Sequence, residues 1–583
     1  MRPRWLEELE GAVRAGFRGI ILAFNTTDYV MDPRDEELAR PRPLSYFLAA
    51  YLSRRGYRVA YYSLAAGLAD MGPAGRDRLA PLQRLAGERS PRQVLPALTP
   101  LLRERESRLS LILDYADHLV PSSQGLNAVL GEDHVLALET LHSWGNDPMV
   151  RATENLVVLI SYENQVNELL RGGGSGYRFI QVALPTEQER RLFIDGLLKL
   201  AGDTRFGRPA AGMTVEELAR VTGGLRLRDI EGLFRLAAGG GAITRDMVRE
   251  AKKKAIQEVC HDLVEVIEPE EGFERVKGLR HAVEYLNLLK WQLHQGSASV
   301  PQGIVFAGVP GCGKSYLVRA LARELGYPCL AMRNVREKWV GSSERNLELV
   351  LWVAENLAPC IMWIDELDQA MGQRGEGPSA DAGVSERMLA RLWEFMGAMR
   401  HRGRILWVAT TNRPDLLDQA TLDRFGVVIP FLHPTPGEVA ELLPELARQL
   451  GCSLAEDVDT RAVSSLPSLR LPTVRGLQEV VAMAAALADR EAGRPGTPVG
   501  QRHLERAARH YQPNYDPLQH EFIALTALSM TTFDFLLPWN SLDGGCRSRE
   551  LPPYLADMVD EEGRLDRERL EARRRELARV LRP

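Results

Sequence analysis

Short apolar runs alternate with amphipathic stretches along the first 180 residues. Four of these runs end in polar residues, as buried parallel strands do where they leave a sheet: residues 18–30, 59–63, 109–113 and 156–160. The intervals between them have helical periodicity. Strands that alternate with helices predict a mostly parallel sheet with helices on both faces.

From residue 185 the pattern is helical, over 189–200, 215–221, 227–238 and 245–265, and the first succession then starts again. Strand-like runs recur at 303–307, 329–332, 360–364, 405–410 and 427–431, and helices follow from Glu438. Similar segments precede the two helical parts, Pro185-Thr-Glu-Gln-Glu189 and Pro434-Thr-Pro-Gly-Glu438. This repeated order predicts two α/β units, each followed by helices.

Composition favours an ordinary globular protein, because 45% of the 583 residues are hydrophobic and the net charge is −5. No stretch approaches the ~18 apolar residues of a membrane span, and the first ten residues carry acids where a signal peptide is apolar. The six cysteines are scattered and form no CxxC pair, which favours reduced thiols. We therefore expect a cytoplasmic protein without a membrane partner.

A glycine-rich segment follows the predicted strand 303–307 and precedes a helical pattern. It reads Gly308, Val309, Pro310, Gly311, Cys312, Gly313, Lys314, Ser315 and Tyr316. Glycines let backbone N–H groups wrap around phosphates at a helix N-terminus. We expect Lys314 to contact the β and γ phosphates of ATP and the Ser315 hydroxyl to hold Mg²⁺. The chain has only eight lysines and none before Lys199, so the first third cannot contain such a loop.

Two further predicted strands end in polar residues. Asp365 and Glu366 follow the run 360–364, where Asp365 would orient Mg²⁺ and Glu366 would polarise the attacking water. Asn412 follows the run 405–410. Its amide offers both a donor and an acceptor to the water or the γ-phosphate, although an asparagine before Arg-Pro is also typical of a turn.

Together these motifs resemble the AAA ATPases, the hexamer-forming branch of the phosphate-loop NTPases. The match covers roughly residues 270–435, with helices to about 510 as a lid, and includes Thr411-Asn-Arg-Pro-Asp-Leu-Leu-Asp418 and Gly383-Val-Ser-Glu-Arg387. The resemblance implies tandem phosphate-loop NTPase-like parallel sheets, each followed by a helical lid. It also implies Mg²⁺-dependent ATP hydrolysis, a ring oligomer, which is a hexamer in this family, and a protein or peptide client.

Lys338, Trp339 and Val340 resemble the family's first pore loop, which implies that Trp339 grips an extended polypeptide in a central channel; core packing is the other explanation of a lone tryptophan. The family also has two arginines that reach a neighbour's γ-phosphate. Here only Arg424 fits, and Asp423 lies near the position of its partner. Arg424 acting in trans is therefore a hypothesis, with slow hydrolysis as a consequence.

The first unit departs further from this pattern. Phe24-Asn-Thr-Thr-Asp-Tyr29 replaces the phosphate loop, and Asp114-Tyr-Ala-Asp117 lacks the water-polarising glutamate, whereas Thr222 to Leu233 is similar to AAA lid helices. The chain thus resembles cyanobacterial and plastid reading-frame AAA proteins, in which a degenerate ATPase-like domain precedes an active one.

The expected organisation has five segments. They are a degenerate ATPase-like α/β domain (1–184), its lid (185–265), the ATPase core (266–435), its lid (436–512) and an extension of unknown role (513–583). Acids alternate with arginines in residues 561–582, which favours a solvated helix.

Remodelling of protein partners is the leading functional hypothesis. An ATP-dependent assembly switch is the alternative, and a nucleic-acid motor is less favoured because no basic stripe or zinc site stands out. His520-Glu521 begins like a zinc-peptidase helix, but Ala524 stands where the second histidine is needed.

Overall fold

The computed structural model describes residues 3–35, 38–71, 83–122, 131–200, 206–238, 241–260, 263–297, 299–332, 343–371, 382–544 and 546–581. The chain divides into two compact units, Met1–Glu258 and Val259–Pro583, and each has its own six-stranded sheet. The predicted fold class, two successive α/β units built on parallel sheets, is confirmed.

Six strands of the first unit form one sheet in the order β5-β4-β6-β7-β1-β8, parallel except for the edge strand β5, which runs antiparallel to β4. Two small two-stranded sheets complete the unit. The strands are β1 (Gly19–Phe24), β2 (Tyr29–Val30), β3 (Arg42–Pro43), β4 (Arg58–Ser63), β5 (Gly67–Asp70), β6 (Leu109–Leu113), β7 (Leu156–Ile160), β8 (Tyr177–Val182), β9 (Arg208–Pro209) and β10 (Ala242–Ile243).

Helices cover both faces of this sheet. Strand β1 is buried throughout, and its alternate side chains enter two different cores, Ile21 in one and Ile20 and Leu22 in the other. The helices span Arg4–Arg14, Leu44–Arg54, Pro91–Arg103, Ala116–Leu119, Glu132–Asn146, Pro148–Arg151, Glu168–Arg171, Glu187–Leu200, Val215–Val221, Leu227–Leu236 and Arg245–Cys260.

The second sheet has the order β11-β13-β14-β15-β12-β16 and is parallel except for the edge strand β11. Its strands are β11 (Glu265–Ile267), β12 (Gly303–Gly308), β13 (Cys329–Met332), β14 (Cys360–Ile364), β15 (Ile405–Thr411) and β16 (Gly426–Phe431). Without the antiparallel edge strands, the two sheets have the same order. Strands β1, β4, β6, β7 and β8 therefore correspond to β12, β13, β14, β15 and β16.

The second unit contains longer helices and several single 3₁₀ turns. The α-helices span Arg280–His294, Lys314–Leu325, Ser343–Leu357, Leu367–Met371, Ala382–Gly397, Gln419–Phe425, Pro436–Gln449, Thr460–Ser464, Val474–Ala492, Gln501–His510, Pro517–Ser529 and Arg567–Leu581. The 3₁₀ turns span Phe273–Arg275, Met399–His401, Pro414–Leu416, Pro467–Leu469, Asp534–Leu536 and Pro553–Leu555.

The paired segments noticed in the sequence begin equivalent helices. Thr186 N donates to Glu189 Oε2 (2.7 Å), and Glu189 N donates to the Thr186 hydroxyl (3.3 Å). Thr435 and Glu438 make the same reciprocal pair, at 2.9 and 3.4 Å. Both are capping boxes, which satisfy N–H groups at a helix start. The local chemistry of the two units thus agrees with their common strand order.

The sequence pattern was wrong at several edge positions. The helix predicted over 245–265 ends at Cys260, and Glu265 begins β11. Strands β5 and β11 were not predicted. Short edge strands such as β11 form because a partner is present: Val266 pairs with Leu330 of β13, some 60 residues away. No local periodicity records such a partner.

The extension also differs from the expectation of a solvated helix. Helix Arg567–Leu581 packs against helix Pro517–Ser529, and its Leu570 and Leu577 are buried. Helix Pro517–Ser529 in turn packs on β12 and β16, and Val428 N of β16 donates to the Thr532 hydroxyl at 2.9 Å. The extension therefore covers the sheet edge at β16 and shares the hydrophobic core of the second unit.

The six cysteines are free thiols, and four of them are buried. Within the described ranges, none of the helices has the length and apolarity needed to cross a membrane.

Candidate active site

A cavity of about 400 Å³ opens in the second unit at the carboxyl end of the parallel sheet. This volume is typical of small-molecule sites. The lining residues come from the loop after β12, from the ends of β14 and β15, and from an apolar side: Gly311, Cys312, Gly313, Lys314, Ser315, Tyr316, Asp365, Glu366, Thr410, Asn412, Val276, Leu279, Leu442 and Leu446. The structure thus brings together the residues that the sequence placed on three separate strand ends.

The loop after β12 needs its glycines for close backbone approach. A Cβ added at Gly308 would lie 2.1 Å from the Phe431 carbonyl oxygen, and Gly308 has φ 141°. Gly313 has φ 94° and caps helix Lys314–Leu325, whose N-terminus opens on the cavity. This arrangement of glycine turn and helix start binds anions through backbone N–H groups.

Lys314 supplies the positive charge of the loop. Its Nζ donates to the carbonyl oxygens of Gly308 (2.7 Å) and Val309 (2.8 Å). Burial lowers the pKa of Lys314 to about 8, although the nearby carboxylates of Asp365 and Asp368 act in the opposite direction. The pKa of this buried ammonium lies close to neutral pH, and a negatively charged phosphate beside it would favour its charged form.

The acidic pair occupies the turn after β14. The Thr410 hydroxyl donates to Asp365 Oδ1 (2.6 Å), and the Thr411 hydroxyl donates to Asp368 Oδ1 (2.7 Å). Glu366 has the left-handed φ of 54°, rare for a residue with a side chain. Burial raises the pKa of Glu366, and the negative charges of Asp365 and Asp368 add to the effect.

The remaining predicted residues are placed differently. Asn412 lines the cavity directly after β15. Arg424 is exposed in the last turn of helix Gln419–Phe425 and does not line the cavity of its own chain. Lys338, Trp339 and Val340, assigned to a pore loop, lie outside the described residues.

Sequence reasoning missed Arg475, which also lines the cavity. It lies in the first turn of helix Val474–Ala492, which is capped by the Thr473 hydroxyl, and its backbone N–H donates to the Gly311 carbonyl oxygen at 3.2 Å. The threonine before an apolar helical pattern was the available signal. The contact between this helix start and the loop after β12 depends on the tertiary structure and has no signal in the local sequence.

A second missed group lies beside the cavity. His433 follows β16, between the lining residues Leu432 and Pro434, and its Nε2 lies 3.2 Å from His520 Nδ1 of the extension. Tyr515 stacks on His520 and donates its hydroxyl to the Leu471 carbonyl oxygen, just before helix Val474–Ala492. Burial lowers the pKa of His433 to about 3 and that of His520 to about 4, so both rings are neutral at pH 7.

In the described part of the chain, the histidine of the zinc-peptidase-like segment contacts another histidine. His520 is engaged with His433, and the described residues contain no cluster of three or more His, Cys, Asp or Glu side chains that could hold a metal. A Mg²⁺ ion bound chiefly through nucleotide phosphates would need fewer protein ligands, and Ser315 and Asp365 both line the cavity.

Two family profiles match this chain. Residues 304–432 match the ATPase family associated with various cellular activities (AAA), and residues 1–183 match the N-terminal Rossmann-like domain of AAA+ chaperones. The first match includes the loop after β12, the acidic pair and Asn412. The second covers the first sheet.

Similar curated proteins include the cell division cycle protein 48 homolog of Archaeoglobus fulgidus, 26% identical over 409 residues, which are 61% of this chain and 54% of that protein. Protein SAV of Sulfolobus acidocaldarius is 33% identical over 198 residues, 33% of this chain and 25% of that protein. The ATP-dependent zinc metalloprotease FtsH of Thermus thermophilus is 34% identical over 244 residues, 41% of this chain and 38% of that protein. The chain spans about a quarter to just over half the length of these relatives. It combines an AAA ATPase domain with an AAA+ chaperone N-terminal Rossmann-like domain.

Proposed function

We propose that the second unit binds ATP with Mg²⁺ in this cavity and hydrolyses it. The observation that carries the proposal is the convergence of Lys314, Asp365, Glu366 and Asn412 on one cavity beside a glycine loop and a helix N-terminus. Each residue type has a separate part in phosphoryl transfer, and no structural role requires all four at one place.

Bound ATP supplies the phosphoanhydride bond, and Mg²⁺ neutralises charge on its phosphates. Lys314 and the N-terminal amides of helix Lys314–Leu325 would bind the β and γ phosphates. The Ser315 hydroxyl and the Asp365 carboxylate would hold the metal or its waters, with Asp365 oriented by the Thr410 hydroxyl. The apolar side of the cavity, with Leu279 and Leu442, suits a nucleobase.

Glu366 is the proposed proton acceptor for the attacking water, and Asn412 the group that orients this water. A carboxylate with a raised pKa is a better base, because proton transfer is most efficient when the pKa of the base lies near the working pH. Arg475 adds positive charge at the lid side of the cavity.

Nucleotide binding and turnover of two variants test these roles. Lys314→Ala should abolish ATP binding. Glu366→Gln should leave binding intact and lower kcat by about 10²–10⁴-fold, the usual contribution of a general base. Lys290→Ala and Glu394→Gln are matched controls in the same unit, since Lys290 pairs with Glu324 and Glu394 with Arg391, both outside the cavity. Robust hydrolysis by Glu366→Gln would contradict the role of Glu366.

We further propose that the chain assembles into a ring and remodels protein clients. Arg424 is exposed and lies outside the cavity of its own chain, which supports the hypothesis that it acts on the nucleotide of the neighbouring subunit. Trp339, with Lys338 and Val340, would grip the client in the channel. The five-segment organisation, with boundaries at 184, 265, 435 and 512, and a cytoplasmic location belong to the same proposal.

An assembly switch with slow hydrolysis is the second candidate. It is favoured by one observation: Asp423, near the position of the second family arginine, accepts a hydrogen bond from Gln419 at 2.7 Å and offers no positive charge to a neighbour. Client-stimulated hydrolysis separates this candidate from remodelling.

A further inference from the structure

The first unit has a different group at the position of the phosphate loop. Because the two sheets share one strand order, the turn after β1 corresponds to the loop after β12. This turn contains Asn25, Thr26 and Asp28, all buried. At the equivalent place, the second unit has the glycine loop and the helix N-terminus that we propose bind the nucleotide phosphates.

Asp28 is only 1% exposed, and both of its carboxylate oxygens are fully used. Oδ1 accepts hydrogen bonds from the backbone N–H groups of Tyr29 (2.8 Å) and Arg228 (3.1 Å). Oδ2 accepts from Leu227 N (3.0 Å) and Asn25 Nδ2 (3.3 Å). Leu227 and Arg228 are the first two residues of helix Leu227–Leu236, so the carboxylate lies at a helix N-terminus, 200 residues away in sequence.

The corresponding helix of the second unit is Val474–Ala492. There Arg475, again the second helical residue, donates its N–H to the loop carbonyl of Gly311 and lines the cavity. The first unit thus replaces a loop carbonyl with a carboxylate. Such charge-assisted hydrogen bonds at a helix N-terminus are about twice as strong as neutral ones.

The cavity at this place is correspondingly small. It measures about 50 Å³, against about 400 Å³ in the second unit, and is lined by Asn25, Thr186, Glu189 and Leu227 among others. Glu189 corresponds to Glu438 of the larger cavity, which confirms that the two positions are equivalent. A volume near that of one or two water molecules does not accommodate a nucleotide.

The two positions proposed to act on water are also replaced. Strand register aligns Tyr115 with Glu366, and both have φ 54°. The same register aligns Tyr162 with Asn412. The Tyr115 and Tyr162 rings stack with centroids 4.5 Å apart, and Asp114 accepts a hydrogen bond from Tyr61 at 2.9 Å. The first unit therefore has aromatic side chains where the second has the carboxylate and the amide that we propose act on water.

We propose that the anion site of the first unit is occupied in cis by the Asp28 carboxylate, which holds the lid helix Leu227–Leu236 on the sheet and excludes a nucleotide. Burial raises the pKa of Asp28 to about 6, and its hydrogen bonds act to lower it. Both oxygens accept hydrogen bonds from N–H donors, which fits the ionised carboxylate. The comparison with the second unit rests on its proposed ATP site, whereas the contacts of Asp28 do not.

Hydrogen exchange of the Leu227 and Arg228 amides in the full-length chain tests the proposal. Asp28→Ala should speed their exchange by at least about tenfold, because each amide loses a charge-assisted partner, and excess formate should restore protection by entering the site left by the carboxylate. Asp28→Asn retains the volume without the charge, so it should be intermediate and insensitive to formate. Asp246→Ala, at an exposed acid of the same unit, is the control. Unchanged exchange in Asp28→Ala would overturn the assignment.

Nucleotide stoichiometry provides a test that does not require the Asp28 variants to fold. The Glu366→Gln chain should bind one ATP at saturation, and ATP should alter exchange in helix Val474–Ala492 without altering it in helix Leu227–Leu236. Two ATP molecules per chain, or ATP-dependent exchange in Leu227–Leu236, would overturn the proposal. Absence of any ATP binding would refute the proposed function of the second unit and leave the exchange test of Asp28 intact.

Discussion

Leu525→Ala should destabilise the second unit, although residue 525 belongs to the extension and not to the domain that matches the AAA profile. Leu525 is 0% exposed and lies in the same hydrophobic cluster as Val309 and Cys312 of the loop after β12 and Phe431 of β16. Removing three buried carbons from a closely packed core forfeits their transfer free energy and leaves a cavity, and Leu→Ala changes of this kind cost about 2–5 kcal/mol.

The expected change in Tm follows from the size of the unit. A unit of roughly 300 residues unfolds with an entropy of about 0.6–0.7 kcal/mol/K, so a loss of about 3 kcal/mol lowers Tm by about 4–5 °C. Leu518→Ala is the matched control, because Leu518 lies in the same helix and is 40% exposed. Its loss of about 1 kcal/mol or less should lower Tm by under about 2 °C.

Calorimetry of both variants, read at the transition that ATP shifts upward, measures the difference. This choice matters because a chain with two units need not unfold in one step. Equal shifts for Leu525→Ala and Leu518→Ala would refute the conclusion that the extension is part of the core. So would a shift confined to a transition that does not respond to ATP.

Three further results are expected. Arg424→Ala should lower kcat by up to about 10³-fold at protein concentrations where the oligomer forms, and an unchanged kcat there would remove Arg424 from the trans site. Peptide-stimulated hydrolysis should vanish in Trp339→Ala if the chain remodels clients, whereas an assembly switch would show no stimulation in the unmodified chain. Burial lowers the pKa of His281, whose ring faces the Pro430 carbonyl, to about 4. Between about pH 6.5 and 4 the unfolded chain therefore takes up a proton that the folded chain does not, so the free energy of unfolding decreases as the pH is lowered through this window. Urea titrations should show that this decrease is smaller, by up to about 3 kcal/mol, in His281→Asn.

The sequence predicted the strands of both sheets best where they are buried on two faces. The runs at 109–113, 156–160, 329–332 and 360–364 coincide with β6, β7, β13 and β14, because a strand covered by helices on both sides must be apolar throughout. Edge strands β5 and β11 were missed, since they are short and owe their conformation to a single neighbour. The extension was misjudged for a related reason: Leu570 and Leu577 are spaced by seven among charged residues, and only the presence of helix Pro517–Ser529 makes them a buried face.

Residue type and spacing along the chain determined most of the proposed ATP site, because a glycine-rich turn with a lysine at a helix start, and acids at a strand end, are each recognisable from local sequence. The same reasoning excluded a lysine-bearing phosphate loop from the first unit. Tertiary structure decided what the sequence could not: that Arg475 and the His433–His520 pair adjoin the site, that Arg424 lies outside it, and that Asp28 reaches helix Leu227–Leu236. Each of these depends on contacts between segments far apart in the chain, and only the folded sheet order brings them together.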